Sequence, residues 1–286
     1  MKKEEIAKLV NTGIDELNAA LAAGKSVRLQ DVLKLMARFH KYSFNNCVLI
    51  AEQFPDATRV MGFHGWKKLG RSVKKGEKGI GITAPLAVRK KDAPVDEKEI
   101  RGFRVVHVFD VSQTEGDDLP KLTRPTGDAS RWIEPVEHLI ETKGIDLQYG
   151  LLDGGAYGKS SVKKITILSG LKSSMRLEVL VHELVHEILH PDLETRKRLK
   201  HAVMETEAQA VAQVVCQALG LEAIEHSADY IHLHNGDSEV FAKSMQRIQK
   251  CASGILNDLL DDEVSHARVD ESPQARKPDV QASLAA

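Results

Sequence analysis

HELVHEILH, residues 182–190, carries His182, Glu183 and His186 in the spacing His-Glu-x-x-His. Residues four apart lie one above the other on an α-helix. Both imidazoles therefore leave the same face, as two nitrogen ligands of one tetrahedral zinc require. Glu183 sits one step round, placed to act on a metal-bound water rather than on the metal. The flanks argue that the pattern is not a chance match. A β-branched strand, Val162 to Leu168, precedes it, and Ser173 or Ser174 can cap the helix that follows. From Met175 to Leu189 that helix is apolar almost all round, through Leu177, Val179, Leu180, Val181, Leu184, Val185 and Ile188, so it is expected to be buried. Burying two imidazoles and a carboxylate there is costly without a partner, and a metal ion is one.

A catalytic zinc takes three protein ligands and leaves one position for solvent. The helix is expected to stop at Pro191, and DLETRKRLK reads as a charged connector to a second apolar helix, METEAQAVAQVVCQALGL. On that helix Glu205, Ala208, Gln209 and Ala212 form one stripe. Small residues at 208 and 212 allow close approach to the first helix, which makes Glu205 the expected third ligand. Glu207 shares its stripe with Val211, Val214 and Ala218 and is the weaker candidate, while His201 would serve a three-histidine site. His190 continues the face of His182 and His186 but lies too far along the axis to share the ion. The arrangement is similar to the gluzincin pattern, with Gln209 where an acid is commoner, so the orientation of a ligand histidine is expected to be looser.

The chain of 286 residues suits two modest domains in an α+β fold, and a formal net charge of −1 means that any nucleic-acid signal must be local. Cys47, Cys216 and Cys251 are far apart and form no Cys-x-x-Cys pair, so neither a thiol redox centre nor a thiolate zinc knuckle is indicated. The N-terminus is charged and amphipathic rather than a signal peptide, no apolar run reaches membrane-spanning length, and a cytoplasmic protein is expected.

Amphipathic helices are expected over residues 3–23, from near Asp31, and over Phe44 to Gln53, followed by turns and short strands punctuated by glycine. Within GWKKLGRSVKKGEKG, residues 65–79, Lys67, Lys68, Arg71, Lys74, Lys75 and Lys78 face one acid, Glu77, and Tyr42, Phe44, Phe63 and Trp66 lie nearby. Cations that follow phosphates and aromatics that stack bases are what single-stranded nucleic acid requires, although Trp66 and Phe63 serve equally well as core. Ile80 to Val88 and Phe103 to Phe109 read as paired strands about a charged tip, RKKDAPVDEKEIRG; His107 reads as a packed or surface residue. SQTEGDDLPKLTRPTGD has linker composition, so the expected domains are 1–128 and 129–260, with a disordered tail over 261–286. The second domain is expected to open on a helix from Trp132 to Thr142 and a strand from Ile145 to Tyr149. GGAYGKSS reads as a hairpin turn, not a phosphate loop, since Asp153 occupies the leading glycine position. His232 and His234, two apart, fall on opposite helix faces, and residues 238–260 read as a long packing helix.

RFHKYSFNN, AEQFPDATRVMGFHGWKKLGRSVKKGEKGI and GFRVVHVFDVSQTEGDDLP together resemble the N-terminal single-strand DNA-binding domain of ArdC-like antirestriction proteins. HELVHEILH and ETEAQAVAQVVCQALGL resemble the zincin metallopeptidase-like domain of the same family, so that the resemblance covers most of residues 1 to about 258. It implies a protein of plasmids and other mobile elements that binds single-stranded DNA and helps incoming DNA escape restriction. Tethering of the peptidase-like site to bound DNA would direct it to DNA-associated proteins, so a DNA-associated protein substrate or a restriction enzyme is the expected protein partner. The alternative is a coating protein that protects by occupancy, its zinc merely structural. A metal-dependent nuclease is weaker, because the carboxylate cluster expected for paired metals is missing. DNA contacts are expected from the six cations of the loop with Trp66, Tyr42 and Phe44, chosen on charge and aromaticity.

Overall fold

The computed structural model describes residues 2–23, 26–89, 98–119, 128–221 and 237–270. Three helices come first: α1 (Lys3–Ala22), α2 (Ser26–Arg38) and α3 (Phe44–Gln53). On α1 the buried residues Ile6, Val10, Ile14, Leu17 and Leu21 recur every three or four positions, the spacing of one helix face. The α3 start is capped by Ser43, which accepts from the Asn46 N–H. Next come β1 (Val60–Gly62), α4 (Phe63–Lys68), β2 (Arg71–Val73), β3 (Ile80–Arg89), β4 (Lys98–Asp110) and β5 (Thr114–Gly116). The antiparallel sheet β1–β4–β3 pairs Val60 with Asp110 and Ile80 with Val108; β2 and β5 form a separate two-stranded ribbon.

The second half contributes α5 (Ser130–Thr142), β6 (Asp146–Gly150), β7 (Gly158–Ser161), β8 (Lys164–Leu168), α6 (Ser173–Leu189), α7 (Leu193–Arg198), α8 (His201–Ala218) and α9 (Ser238–Asp270). In its sheet β8 is central, parallel to β6 and antiparallel to β7, and β6 and β7 are the two edges. α6 packs on α8, where Ala208 and Ala212 are fully buried and let the backbones approach. α2 also packs on α8, and α9 touches α1, α3, α5, α6 and α8, so one apolar core runs from Ile6 to Leu259.

Six expectations change. Residues 63–68 are helical rather than turn. Part of the expected linker is ordered: Thr114 is buried and β5 pairs with β2. The connector holds α7, started by Asp192, which accepts from the Thr195 N–H at 2.7 Å. The α6 N-cap is Lys172, with neither serine in the capping position. GGAYGKSS is not all turn, since Gly158 to Ser161 form β7 and the tight reversal falls at Lys163, whose φ is 59°. The helix α9 also continues over 261–270, where no proline or glycine stops it, into the expected tail; residues 271–286 lie outside the described residues. So do the charged tip over 90–97, residues 120–127 of the linker, and His232 and His234. Among the described residues no helix is long and apolar enough to cross a membrane.

Candidate metal centre and nucleic-acid surface

His182 and His186 leave α6 one turn apart, and α8 brings Glu205 across to them. Their donor atoms converge: Nε2 of His182 is 3.1 Å from Nε2 of His186, and the Glu205 carboxylate oxygens are 3.4 Å and 3.3 Å from those two nitrogens. Donors held about 2.1 Å from one tetrahedral ion stand roughly 3.4 Å apart. The trio therefore has the spacing of a single-ion site, and it is the one group of three metal-ligating side chains brought together among the described residues. His201 remains at the rim, its side chain 83% exposed and its Nε2 3.5 Å from Glu205. Burial lowers the pKa of His186, with the charges of His182 and His190 acting the same way, so its ring favours the lone-pair form a metal needs. Burial opposes ionisation of Glu205, yet hydrogen bonds and attraction from His182 and His186 outweigh it and hold the carboxyl far below its usual range.

Glu183 is buried beside this trio. Burial pushes its carboxyl up to about 7, against the pull of His182. The backbone of β7 lies directly on it: a Cβ built on Gly158 would stand 2.5 Å from Glu183 Oε1 and 2.6 Å from Val179 Cγ1. A second clamp fixes that strand. Buried Glu187 accepts from Ser160 Oγ at 2.5 Å and from the Lys163 N–H at 2.7 Å, while Arg196 reaches Glu187, Ser160 and the His190 carbonyl. The charged segment 192–200 thus supplies the residue that ties β7 to the end of α6.

Behind the trio runs a chain of contacts that sequence reasoning did not assign. A His186 that offers Nε2 to a metal carries its proton on Nδ1, which lies 3.2 Å from Nδ1 of His190. His190 then holds its own proton on Nε2, directed at Glu207 Oε2 at 3.4 Å. Glu207 accepts in turn from Arg247 on α9. His190 and Glu207 have no exposed surface, and the hydrogen bonds of His190 and Arg247 overcome burial to hold the Glu207 carboxyl low. Every donor in this series has an acceptor, which is how a ligand imidazole is kept in one tautomer and orientation. Gln209 stands on the His182 side, hydrogen-bonded to that ring and donating to Glu178 at 2.9 Å.

Residues 4–111 match the family described as the N-terminal domain of anti-restriction factor ArdC. Residues 4–111 are therefore ArdC-like. Crystal structures of antirestriction ArdC from the R388 plasmid, one metal-free and one with Mn(II) bound, superpose with a TM-score of 0.52 at 17% and 18% identity, covering 88% of this chain and 98% of theirs. An uncharacterized protein of Bacillus anthracis, pXO2-81, is 29% identical in an alignment 283 positions long that covers 80% of this chain and 48% of the relative. The chain therefore matches about half the length of that relative.

Within the ArdC-like N-terminal domain the aromatic candidates part company. Trp66 is fully buried, its indole N–H donating to the Phe109 carbonyl at 2.9 Å, and Phe44 is 1% exposed, so neither can stack on a base: both are core, held there by the apolar area they bury. Tyr42 is half-buried, its hydroxyl donating to the Val60 carbonyl at 3.1 Å. Among the loop cations Lys67, Lys68, Lys75 and Lys78 are exposed, whereas Arg71 is spent on Thr114, Gly116 and Asp117, and Lys74 donates to the Ser112 carbonyl at 2.9 Å. An exposed ring absent from the sequence expectation, Phe103 on β4, lies instead beside Lys41, Tyr42 and Arg104 in a groove of ≈ 870 Å³. Alternation along β4 could have singled it out, but a strand phenylalanine reads first as core.

Proposed function

We propose that this ArdC-like chain is a cytoplasmic antirestriction protein that binds single-stranded DNA and carries a zinc-dependent peptidase centre in a zincin-like second domain, protecting incoming mobile-element DNA. The observation that supports it most is the convergence of His182, His186 and Glu205 next to buried Glu183, under an edge strand. Two imidazoles and one carboxylate are a donor set of catalytic zinc, and the Mn(II)-bound R388 structure supports a metal in this fold. When bound, the ion would acidify a water and polarise a carbonyl.

The side chains do the rest. Glu183, its pKa raised to about 7 by burial, takes a proton from the attacking water and passes it to the leaving amine. β7 offers its free edge to an extended peptide, whose main chain can pair with it. Glu187 and Arg196 hold that edge at fixed height above Glu183. Exposed cations of the N-terminal domain follow the phosphates, and confinement to bound DNA raises the local concentration of DNA-associated proteins, the proposed substrates.

Glu183→Gln tests the reading. It should retain one zinc and full affinity for single-stranded DNA, yet lose proteolysis of DNA-associated protein and protection of incoming DNA. Full protection by that variant would hand the function to coating by occupancy.

A further inference from the structure

We infer that single-stranded nucleic acid seats its bases in the groove between α1, residues 41–45, β4 and α9, with Phe103 as the stacking platform. This rests on the single-strand-binding reading above and moves its base contacts away from the loop over 65–79. The groove is lined by four cations, Lys3, Lys41, Arg104 and Lys250, and by no carboxylate. None of the four is paired with an acid among the described residues, so their charge is available to a polyanion. Phe103 is 55% exposed on β4, where an unpartnered ring costs free energy that a stacked base would recover. Cations with an open aromatic face suit unpaired bases better than they suit an acidic peptide.

The walls are preformed, which lowers the cost of ordering on binding. Asn46 holds β3 by both its amide groups, to the Thr83 N–H at 3.0 Å and its carbonyl at 2.9 Å. Gln249, 2% exposed, donates to the Met36, Phe39 and Tyr42 carbonyls and so fastens α9 to the turn carrying Lys41. At ≈ 870 Å³ the groove is at the upper end of the range for ligand clefts, about 300–1,000 Å³. Within β4, Phe103 and Phe109 stand roughly 20 Å apart in an extended strand. At that far end a Cβ on Gly79 would touch His107 and Phe109, so a single strand leaving the groove along β4 reaches the lysines of the loop. Because α9 forms one wall, the site belongs to both halves of the chain.

The test is fluorescence anisotropy of a labelled oligo-dT with the full chain, as a function of salt. Lys41→Glu with Arg104→Glu should weaken binding at least about ten-fold and flatten the slope of log affinity against log salt by about 1.4, or 0.7 for each lost contact. Phe103→Ala should weaken it about five- to hundred-fold with the slope unchanged, because stacking releases no counterions. Lys250→Glu, on α9, should weaken it with a flattened slope. All four side chains are exposed, and an unchanged thermal midpoint shows that the fold is intact. Wild-type affinity in all these variants would overturn the groove and leave single-strand binding standing. Competition by polyglutamate as effective as by unlabelled oligo-dT would overturn the stacking role. A wild-type chain that binds no oligo-dT at low salt would remove the underlying reading and the groove with it.

Discussion

Glu207 and His190 sit where solvent does not reach, and their hydrogen bonds lead straight to the ring of His186. Truncating Glu207 to alanine would leave His190 and Arg247 unpartnered and cost about 3–5 kcal/mol, so the informative change is smaller. Glu207→Gln keeps the shape but weakens the charge that fixes the His190 proton on Nε2. We expect metal affinity about 10–100-fold lower, read by competition with a chromophoric chelator, with the fold retained. Equal affinities would show that the chain of contacts does not orient the ligand. The meeting of His182, His186 and Glu205 was legible because helical spacing and the small residues at 208 and 212 act locally. Glu207 was not: its stripe, Val211, Val214 and Ala218, reads as packing, and the partners that let a buried acid persist come from α6 and α9.

Two elements carry predictions of their own. Asp110, 1% exposed at the end of β4, accepts from the Thr58, Arg59 and Ser112 N–H groups at 2.7, 2.9 and 3.0 Å and thereby joins β1 to β4. Burial works against its charge, but those hydrogen bonds prevail and its pKa is lowered. A depressed carboxylate pKa stabilises the fold above the unfolded value, about 3.9, and that stability is lost as pH falls through the folded value. Asp110→Asn should therefore cost about 2 kcal/mol at pH 7, and the gap to wild type should close in urea titrations below about pH 4. A gap independent of pH would remove the charge from the explanation. On β7, Gly158→Ala drives a methyl group into Val179 and Glu183 and should destabilise by about 1–3 kcal/mol. Gly150→Ala, with nothing within 4 Å, should stay within about 0.5 kcal/mol. Equal effects would mean that β7 does not rest on α6. Long helices were readable from their period. The short α4 and α7 were not, since six residues give too little repeat, and the α7 start depends on one Asp192 cap in a charged run.

Across the whole molecule the two halves share their interior. α9 fastens to the turn after α2 through Gln249 and to the metal-side helix α8 through Arg247, while α2 lies against α8. Composition suggests a linker near residue 128 but is silent on packing between segments more than two hundred residues apart, such as Asn18 with Ser238. Buried Trp66 and Trp132 report one half each. In single-tryptophan variants, Trp66→Phe and Trp132→Phe, both probes should lose their folded fluorescence over the same urea range, as one cooperative unit does. Two well-separated transitions would show halves that fold independently.

The central claim is that His182, His186 and Glu205 hold one divalent ion, and metal stoichiometry on purified, dialysed protein addresses it most directly. Elemental analysis after reconstitution with zinc should give about one ion per chain for the wild type and close to none for Glu205→Ala with an unchanged circular dichroism spectrum. A folded wild type that retains no metal, or a Glu205→Ala variant that retains its ion at full affinity, would contradict the account.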